Sequence, residues 1–313
     1  MKQPQSITLF MLVTNSDCMF GDYAVKSVGK IYQKLGSEAR QKFVLYIYLN
    51  SLTEENKKKY TRQWQKLPYV TCFDNSIKEG VKNLKAGDTI VSPEGISRIR
   101  DDSNENYDEL WTSELSKFKT DYIATIDADF EVLNPDFYFY LIAQLQSEEC
   151  LVASTSYSPS SLCFDTFSNR TIYLHERNHT WCCIYKHSAF DLSKRSHFYY
   201  ETKTSDEKIH AYDSAAYFQA EPREQTKLKF VHLPNNFLSS FIHYGAGSKN
   251  KSINATNVAF YRFIIILCNI GLIYGAKQNK LTRLINKVGR KTGNLLFGKR
   301  IKSLYMERTK YVI

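Results

Sequence analysis

Apolar residues fall in short unbroken runs over the first half of the chain. Residues 7–14 (ITLFMLVT) and 43–49 (FVLYIYL) hold almost no polar position, the pattern of strands buried on both faces. Between them Tyr23, Val25, Val28, Ile31, Tyr32 and Leu35 recur at helical spacing, and Gly36 follows as a stop signal. Residues 53–64 read as a polar helix and 69–73 as a third strand. This alternation of strand and helix predicts an α/β fold, a parallel sheet with helices on both faces.

The pattern then loosens. Residues 75–106 are irregular and end in an acidic stretch, with Asp101 and Asp102 read as a solvated loop. Residues 107–118 resume as a helix, and 122–126 form a short apolar strand that ends directly on Asp127. A helix over 135–145 and a strand over 151–154 follow, and from 155 to 250 only loops and short elements are expected. The most apolar stretch, 258–275, is barely long enough to cross a bilayer, which takes ~20 residues. It also carries Arg262 and Asn269, so a core or membrane-surface helix is expected rather than a span.

Composition changes the picture at one end only. The 313 residues are 43% hydrophobic and 24% charged, which suits a globular chain with a large core. The net charge of +10 is uneven. Residues 277–313 hold eleven Lys or Arg and one acid, Glu307, leaving 31 bases and 31 acids before them. Leu281, Leu284, Ile285 and Val288 line one face of that tail among the bases, which predicts a helix lying on an anionic membrane surface. No nucleic-acid module is recognisable, so lipid rather than nucleic acid is the expected partner of the tail. The seven cysteines form no CxxC pair, and Cys182 and Cys183 are adjacent, which predicts free thiols and a reducing compartment. Met1-Lys2-Gln3-Pro4 leads straight into a strand-like segment, so no secretory leader is expected and the sequons at Asn169 and Asn178 are read as chance.

Asp127-Ala128-Asp129 stands where a buried strand meets a loop. In an open parallel sheet, ligands bind beyond the carboxyl ends of strands. Two carboxylates two residues apart can reach one Mg2+ or Mn2+, which takes oxygen ligands from protein, phosphate and water. Such an ion offsets the charge building on a leaving diphosphate. A solvated turn is the plainer reading of an acidic pair, but the apolar flanks 122–126 and 130–135 argue against it.

The stretch Thr120-Asp-Tyr-Ile-Ala-Thr-Ile-Asp-Ala-Asp-Phe-Glu-Val resembles the DxD region of GT-A-fold glycosyltransferases of the family 2 type, and the opening strand with Asn15-Ser16 resembles their nucleotide-binding start. The resemblance covers roughly residues 5–250. It implies a GT-A-type, Rossmann-like, mostly parallel sheet over 1–250, with a nucleotide-binding half (1–130) and an acceptor-binding half (131–250); the apolar stretch and basic tail predict a helical membrane-associating extension over 251–313. It implies a metal-dependent transferase, with Thr14, Asn15, Asp127, Ala128 and Asp129 at the nucleotide-sugar donor and Asp127 and Asp129 on the metal. Ala211-Tyr-Asp-Ser-Ala-Ala-Tyr-Phe-Gln219 resembles the segment that supplies the base of inverting transfer, which points to Asp213; Tyr212 stands where the commoner motif has an acid, and a helix cap is the plainer role. Phe241-Ile-His-Tyr-Gly-Ala-Gly247 resembles the late histidine that completes the metal site, so His243, rather than His232, is the expected third ligand. Arg177, His179 and Trp181 are candidates for binding the acceptor, a glycan or lipid-linked glycan.

Three functions compete at this stage. The first is an inverting glycosyltransferase in the cytoplasm at the inner face of a membrane, in glycan or polysaccharide assembly. The second is a nucleotidyltransferase, which would carry a Gly-rich, basic loop after the first strand where this chain has Asn15-Ser-Asp-Cys-Met-Phe-Gly21. The third is a non-catalytic binding protein with a degenerate transferase fold.

Overall fold

Seven strands build the central sheet of the computed structural model, in the spatial order Lys229–His232, Cys150–Ser154, Cys182–Lys186, Tyr122–Ile126, Ile7–Val13, Phe43–Asn50 and Val70–Asn75. The structure describes residues 5–15, 17–50, 52–75, 89–91, 97–99, 114–165, 170–195, 197, 200–203 and 209–244. Every neighbouring pair of the sheet is parallel except those made by Cys182–Lys186, which runs antiparallel to both its neighbours. The sheet is therefore mostly parallel, and its reversed strand comes from the region expected to be loops and short elements.

Burial explains why the first apolar run sits in the middle of that sheet. All seven residues of Ile7–Val13 are buried. Alternate side chains serve opposite faces. Ile7, Leu9, Met11 and Val13 pack with Val25, Val28 and Ile31 of the helix Cys18–Lys34 and with Phe137 and Leu141 of the helix Asp136–Leu145. Phe10 and Leu12 instead meet Tyr48, Leu115 and Ile123 on the other side. Each fully buried side chain of this size contributes about 1.5–3 kcal/mol relative to exposure. Cys182 and Cys183 follow the same rule, one joining the first cluster and the other packing with Leu151, Tyr185 and Phe218. Among the described residues all six cysteines are free thiols.

Two helices differ from the sequence pattern. The first begins at Cys18, five residues before the apolar spacing becomes visible, because its opening turn continues the loop Thr14–Asp17. The polar helix over 53–64 runs as Glu54–Asn56, Lys57–Thr61 and Arg62–Trp64, with π geometry in the middle segment and Tyr60 and Trp64 buried. The Trp64 indole N–H reaches Asp22 Oδ1 at 3.1 Å and ties this helix to the first. Gly29 matters for a neighbouring contact: a Cβ there would lie 2.8 Å from the Tyr69 hydroxyl, which donates to the Val25 carbonyl at 3.1 Å.

The chain beyond 155 is richer in strands than its loose pattern implies. A second sheet has the order Ser161–Asp165, Arg170–Leu174, Ile209–Tyr212, Tyr200–Lys203. Three two-stranded pairs complete the set, among them Phe130–Val132 with Phe241–His243 and Tyr157–Ser158 with Arg177–Asn178. Buried Asn178 binds these parts together: it exchanges hydrogen bonds with Gln219, donates to Ser154 Oγ and the Val231 carbonyl, and accepts from Arg223. The acidic loop at Asp101 and Asp102, most of the expected helix over 107–118, the apolar stretch 258–275 and the tail 277–313 lie outside the described residues. Among the described residues no helix is long and apolar enough to cross a membrane.

Candidate functional site

The strand Tyr122–Ile126 is buried at all five positions, and its ladder to Cys182–Lys186 continues one step further, where the Asp127 N–H donates to the Trp181 carbonyl at 3.0 Å. The chain then turns sharply, with the Phe130 N–H returning to the Asp127 carbonyl at 3.0 Å. That turn aims the following strand, Phe130–Val132, back along Phe241–His243 with His243 opposite Phe130. The Tyr244 N–H donates to the Asp129 carbonyl at 2.9 Å and closes the junction. His243 and Tyr244, 114 and 115 positions beyond Asp129 in sequence, are thus fixed against it by backbone bonds.

The outcome is a group of three side chains. His243 Nε2 lies 3.2 Å from Asp127 Oδ2 and 3.2 Å from Asp129 Oδ1. One ligand atom from each of the three falls within 4.8 Å of the others. Ligands about 2.0–2.2 Å from a small divalent ion must lie about 3–4 Å apart, and two oxygens with one imidazole nitrogen are donors that Mn2+ or Mg2+ accepts. Residues and spacing fit such an ion. Burial opposes a charge on His243, but Asp129 and Asp127 outweigh it and push the imidazole up to about 9. A proton there partly balances the two carboxylates, and a cation would take its place.

Further rings and acids surround the triad. Trp181 lies between two histidines, its ring 4.2 Å from His243 and 4.4 Å from His179, both stacked. Burial, then the charges of Arg177 and His243, push His179 down to about 3, so it stays neutral while its Nε2 sits 2.6 Å from Ser158 Oγ. Tyr244 donates to buried Glu131 at 2.5 Å. Asp17 was not singled out in the sequence. It is buried in the loop after the first strand and accepts from the Thr14 hydroxyl at 2.6 Å and the Thr14 N–H at 3.3 Å. Burial raises its carboxyl to about 7 against those bonds, with Asp129 and Asp127 adding to the rise. The signal for it was an acid just beyond the carboxyl end of a buried parallel strand.

The other expected site residues fall into two places. Thr14 and Asn15 follow the strand parallel and adjacent to Tyr122–Ile126, at the same edge of the sheet as Asp127. Asn15 Oδ1 accepts from the Thr53 N–H at 2.7 Å and from Asn56 at 3.2 Å. Ala128 is buried within the turn. Arg177 and Asp213, 36 positions apart, form an ion pair with Nη2 to Oδ2 at 2.7 Å, and Arg177 also donates to the Ser214 carbonyl. Asp213 Oδ1 accepts from the Ser214 N–H at 2.7 Å. The helix that follows, Ala216–Gln225, is preceded by Ala215 in a left-handed conformation at φ 65°, so Asp213 is not its cap residue. His232 is exposed and stacks on Tyr157, and the group at Asp127 contains His243 instead. Gly245 and Gly247 lie outside the described residues.

No protein-family profile and no curated protein sequence matches this chain. Among solved structures it is similar to a mannosyltransferase from Pyrobaculum calidifontis in complex with GDP-Man and Mn2+, at 10% identity and TM-score 0.45 over 99% of this chain and 86% of that one. It is also similar to mannosyl-3-phosphoglycerate synthase from Rubrobacter xylanophilus, at 10% identity and TM-score 0.32 over 49% of this chain and 40% of that one. A third is glucosyl-3-phosphoglycerate synthase from Mycobacterium tuberculosis with Mn2+, UDP and phosphoglyceric acid, at 13% identity and TM-score 0.30, covering 49% of this chain and 43% of that one. The chain thus spans less than half the length of either synthase. At these values the chemistry of the site, not the likeness, has to carry the function.

Proposed function

We propose that this chain is a metal-dependent glycosyltransferase that moves a sugar from a nucleotide-sugar donor to a glycan or lipid-linked glycan, with inversion at the transferred carbon. The observation that carries this reading is the meeting of Asp127, Asp129 and His243 within 4.8 Å, at the edge of a mostly parallel sheet where strand carboxyl ends gather. These three residues would hold Mn2+ or Mg2+, which when bound supplies charge neutralisation to the donor diphosphate. The Thr14–Asn15 loop, beside them on the neighbouring strand, is the candidate contact for the nucleoside.

Asp213 is the candidate base. The acceptor hydroxyl oxygen forms a bond to the anomeric carbon, the bond from that carbon to the diphosphate breaks with its electron pair leaving on the diphosphate, and the hydroxyl proton passes to Asp213. Arg177 holds the Asp213 carboxylate in one orientation through the 2.7 Å pair. Trp181, stacked between His179 and His243 of the triad, is the candidate ring for the face of a sugar. The basic tail over 277–313 would hold the protein to an anionic membrane surface and so to a lipid-linked acceptor.

The test is release of nucleoside diphosphate from a panel of nucleotide sugars, GDP- and UDP-linked donors first. Turnover with Mn2+ or Mg2+, abolished by EDTA and restored by added ion, supports the reading; turnover indifferent to EDTA, or none with any donor, contradicts it. Deleting 277–313 is expected to shift the protein from anionic vesicles to the supernatant in a flotation assay, and unchanged flotation would remove the tail as anchor.

A further inference from the structure

The second sheet has two unlike faces. Ile172, Ala211 and Glu201 are buried on one. On the other, the register places Tyr173 beside His210, and Tyr200 opposite Tyr212. His175 extends its strand, donating its N–H to the Ala211 carbonyl at 2.9 Å, and so shares the face of Tyr173. The rings touch: Tyr173 lies 5.1 Å from both His175 and His210, His175 stacks on Tyr212 at 3.8 Å, and Tyr200 stacks on Tyr217 at 4.0 Å. None of the six is fully buried. On the outer strand of the same face Leu162 is 68% exposed and Phe164 57%.

A core would bury such rings, whereas a row of half-exposed ones marks a binding surface. Its polar atoms are phenol hydroxyls and the imidazoles of His175 and His210, which share a 2.9 Å contact, and the Arg195 guanidinium lies over the Tyr217 ring at 4.9 Å. Burial, then His210, hold the His175 imidazole below its ordinary value, which favours its neutral form near pH 7. Flat rings edged by hydroxyl, imidazole and guanidinium groups match a ligand that has C–H faces and many hydroxyls, which is a sugar chain. Position gives the same answer. Tyr212 directly precedes Asp213, and Arg177, its ion-pair partner, follows His175 by two residues, so the ring surface leads into the candidate base.

We propose that the face formed by Tyr173, His175, His210, Tyr212, Tyr200 and Tyr217 binds the acceptor glycan, holding sugar units behind the reacting one and presenting the chain end at Asp213. This rests on the glycosyltransferase reading. The full chain, with its Tyr173→Ala, Tyr212→Ala, Tyr173→Phe and Phe164→Ala variants, would be applied to an array of defined oligosaccharides of two to six units. In parallel, binding of GDP and UDP with Mn2+ would be followed by calorimetry. The wild type is expected to bind at least one oligosaccharide; each Tyr→Ala change should weaken that by about tenfold, Tyr173→Phe should keep most of it, and nucleotide binding should stay constant. Phe164→Ala, at an exposed position that folding tolerates, should weaken only the longer oligosaccharides. Absence of oligosaccharide binding by wild type, or equal binding by the folded variants, overturns the proposal while leaving the metal–nucleotide result to judge the transferase reading separately.

Discussion

Two carboxylate settings in this molecule differ in how their charge is met. Asp127 and Asp129 lie at the turn beyond a buried strand, and both converge on one imidazole nitrogen, His243 Nε2, at 3.2 Å. Asp213 is 39% exposed at its side chain and has its own guanidinium, Arg177, at 2.7 Å. The first setting gathers two carboxylates and an imidazole on a turn held by backbone hydrogen bonds; the second pairs one carboxylate with one guanidinium and is partly open to solvent. A cation is therefore expected at the first, and a reversible proton or hydroxyl contact at the second. Asp17 belongs with the first, since its carboxyl is raised by burial and by the same two aspartates.

If the two settings differ as described, their variants should separate cleanly. Asp129→Ala should cause the largest loss, with turnover falling by about 10²–10³ or more and metal-dependent nucleotide binding lost, while circular dichroism stays native; retained turnover would erase the distinction. Asp213→Asn should lower kcat by about 10²–10⁴ with the affinity for nucleotide and Mn2+ unchanged, and loss of nucleotide binding with unchanged kcat would move Asp213 out of the base role. Arg177→Ala should raise the acceptor KM while changing stability by no more than about 1 kcal/mol, because the acid it leaves is partly solvated; calorimetric melting and KM measured together check this.

Asp17→Asn acts on stability rather than turnover, and its effect has a sign. The Asp17 carboxyl stands at about 7 in the fold against 3.8 in the free residue. Its contribution to stability is complete below about pH 4 and lost as pH rises through about 7, because the native state holds the proton longer than the unfolded chain. The variant should therefore gain stability over wild type at pH 8, of order 1–2 kcal/mol, and little or none at pH 4. Equal melting differences at both pH values would show that burial and the neighbouring aspartates do not hold Asp17 protonated.

The parallel half of the fold was readable because burial on both faces demands unbroken apolar runs, as in residues 7–13 and 43–49. The reversed strand Cys182–Lys186 was not, because a buried run of five residues carries no sign of its direction, and the second sheet was not, because strands of four or five residues with one half-exposed face give neither a long run nor a clean alternation. Asp127 and Asp129 stood out for their position at a strand end. That His243 reaches them depends on pairing between Phe130–Val132 and Phe241–His243, a contact 113 residues apart that no local pattern encodes. The same holds for the Arg177–Asp213 pair and for the ring surface, whose members come from three strands, a strand extension and a helix.

The most direct test of the account is calorimetric titration of the full chain with GDP and with UDP, in Mn2+ and again in EDTA, for wild type and Asp129→Ala. The account predicts that at least one of the two binds wild type only when Mn2+ is present and does not bind the variant. Equal binding in EDTA, or equal binding by the variant, would contradict a metal centre at Asp127, Asp129 and His243.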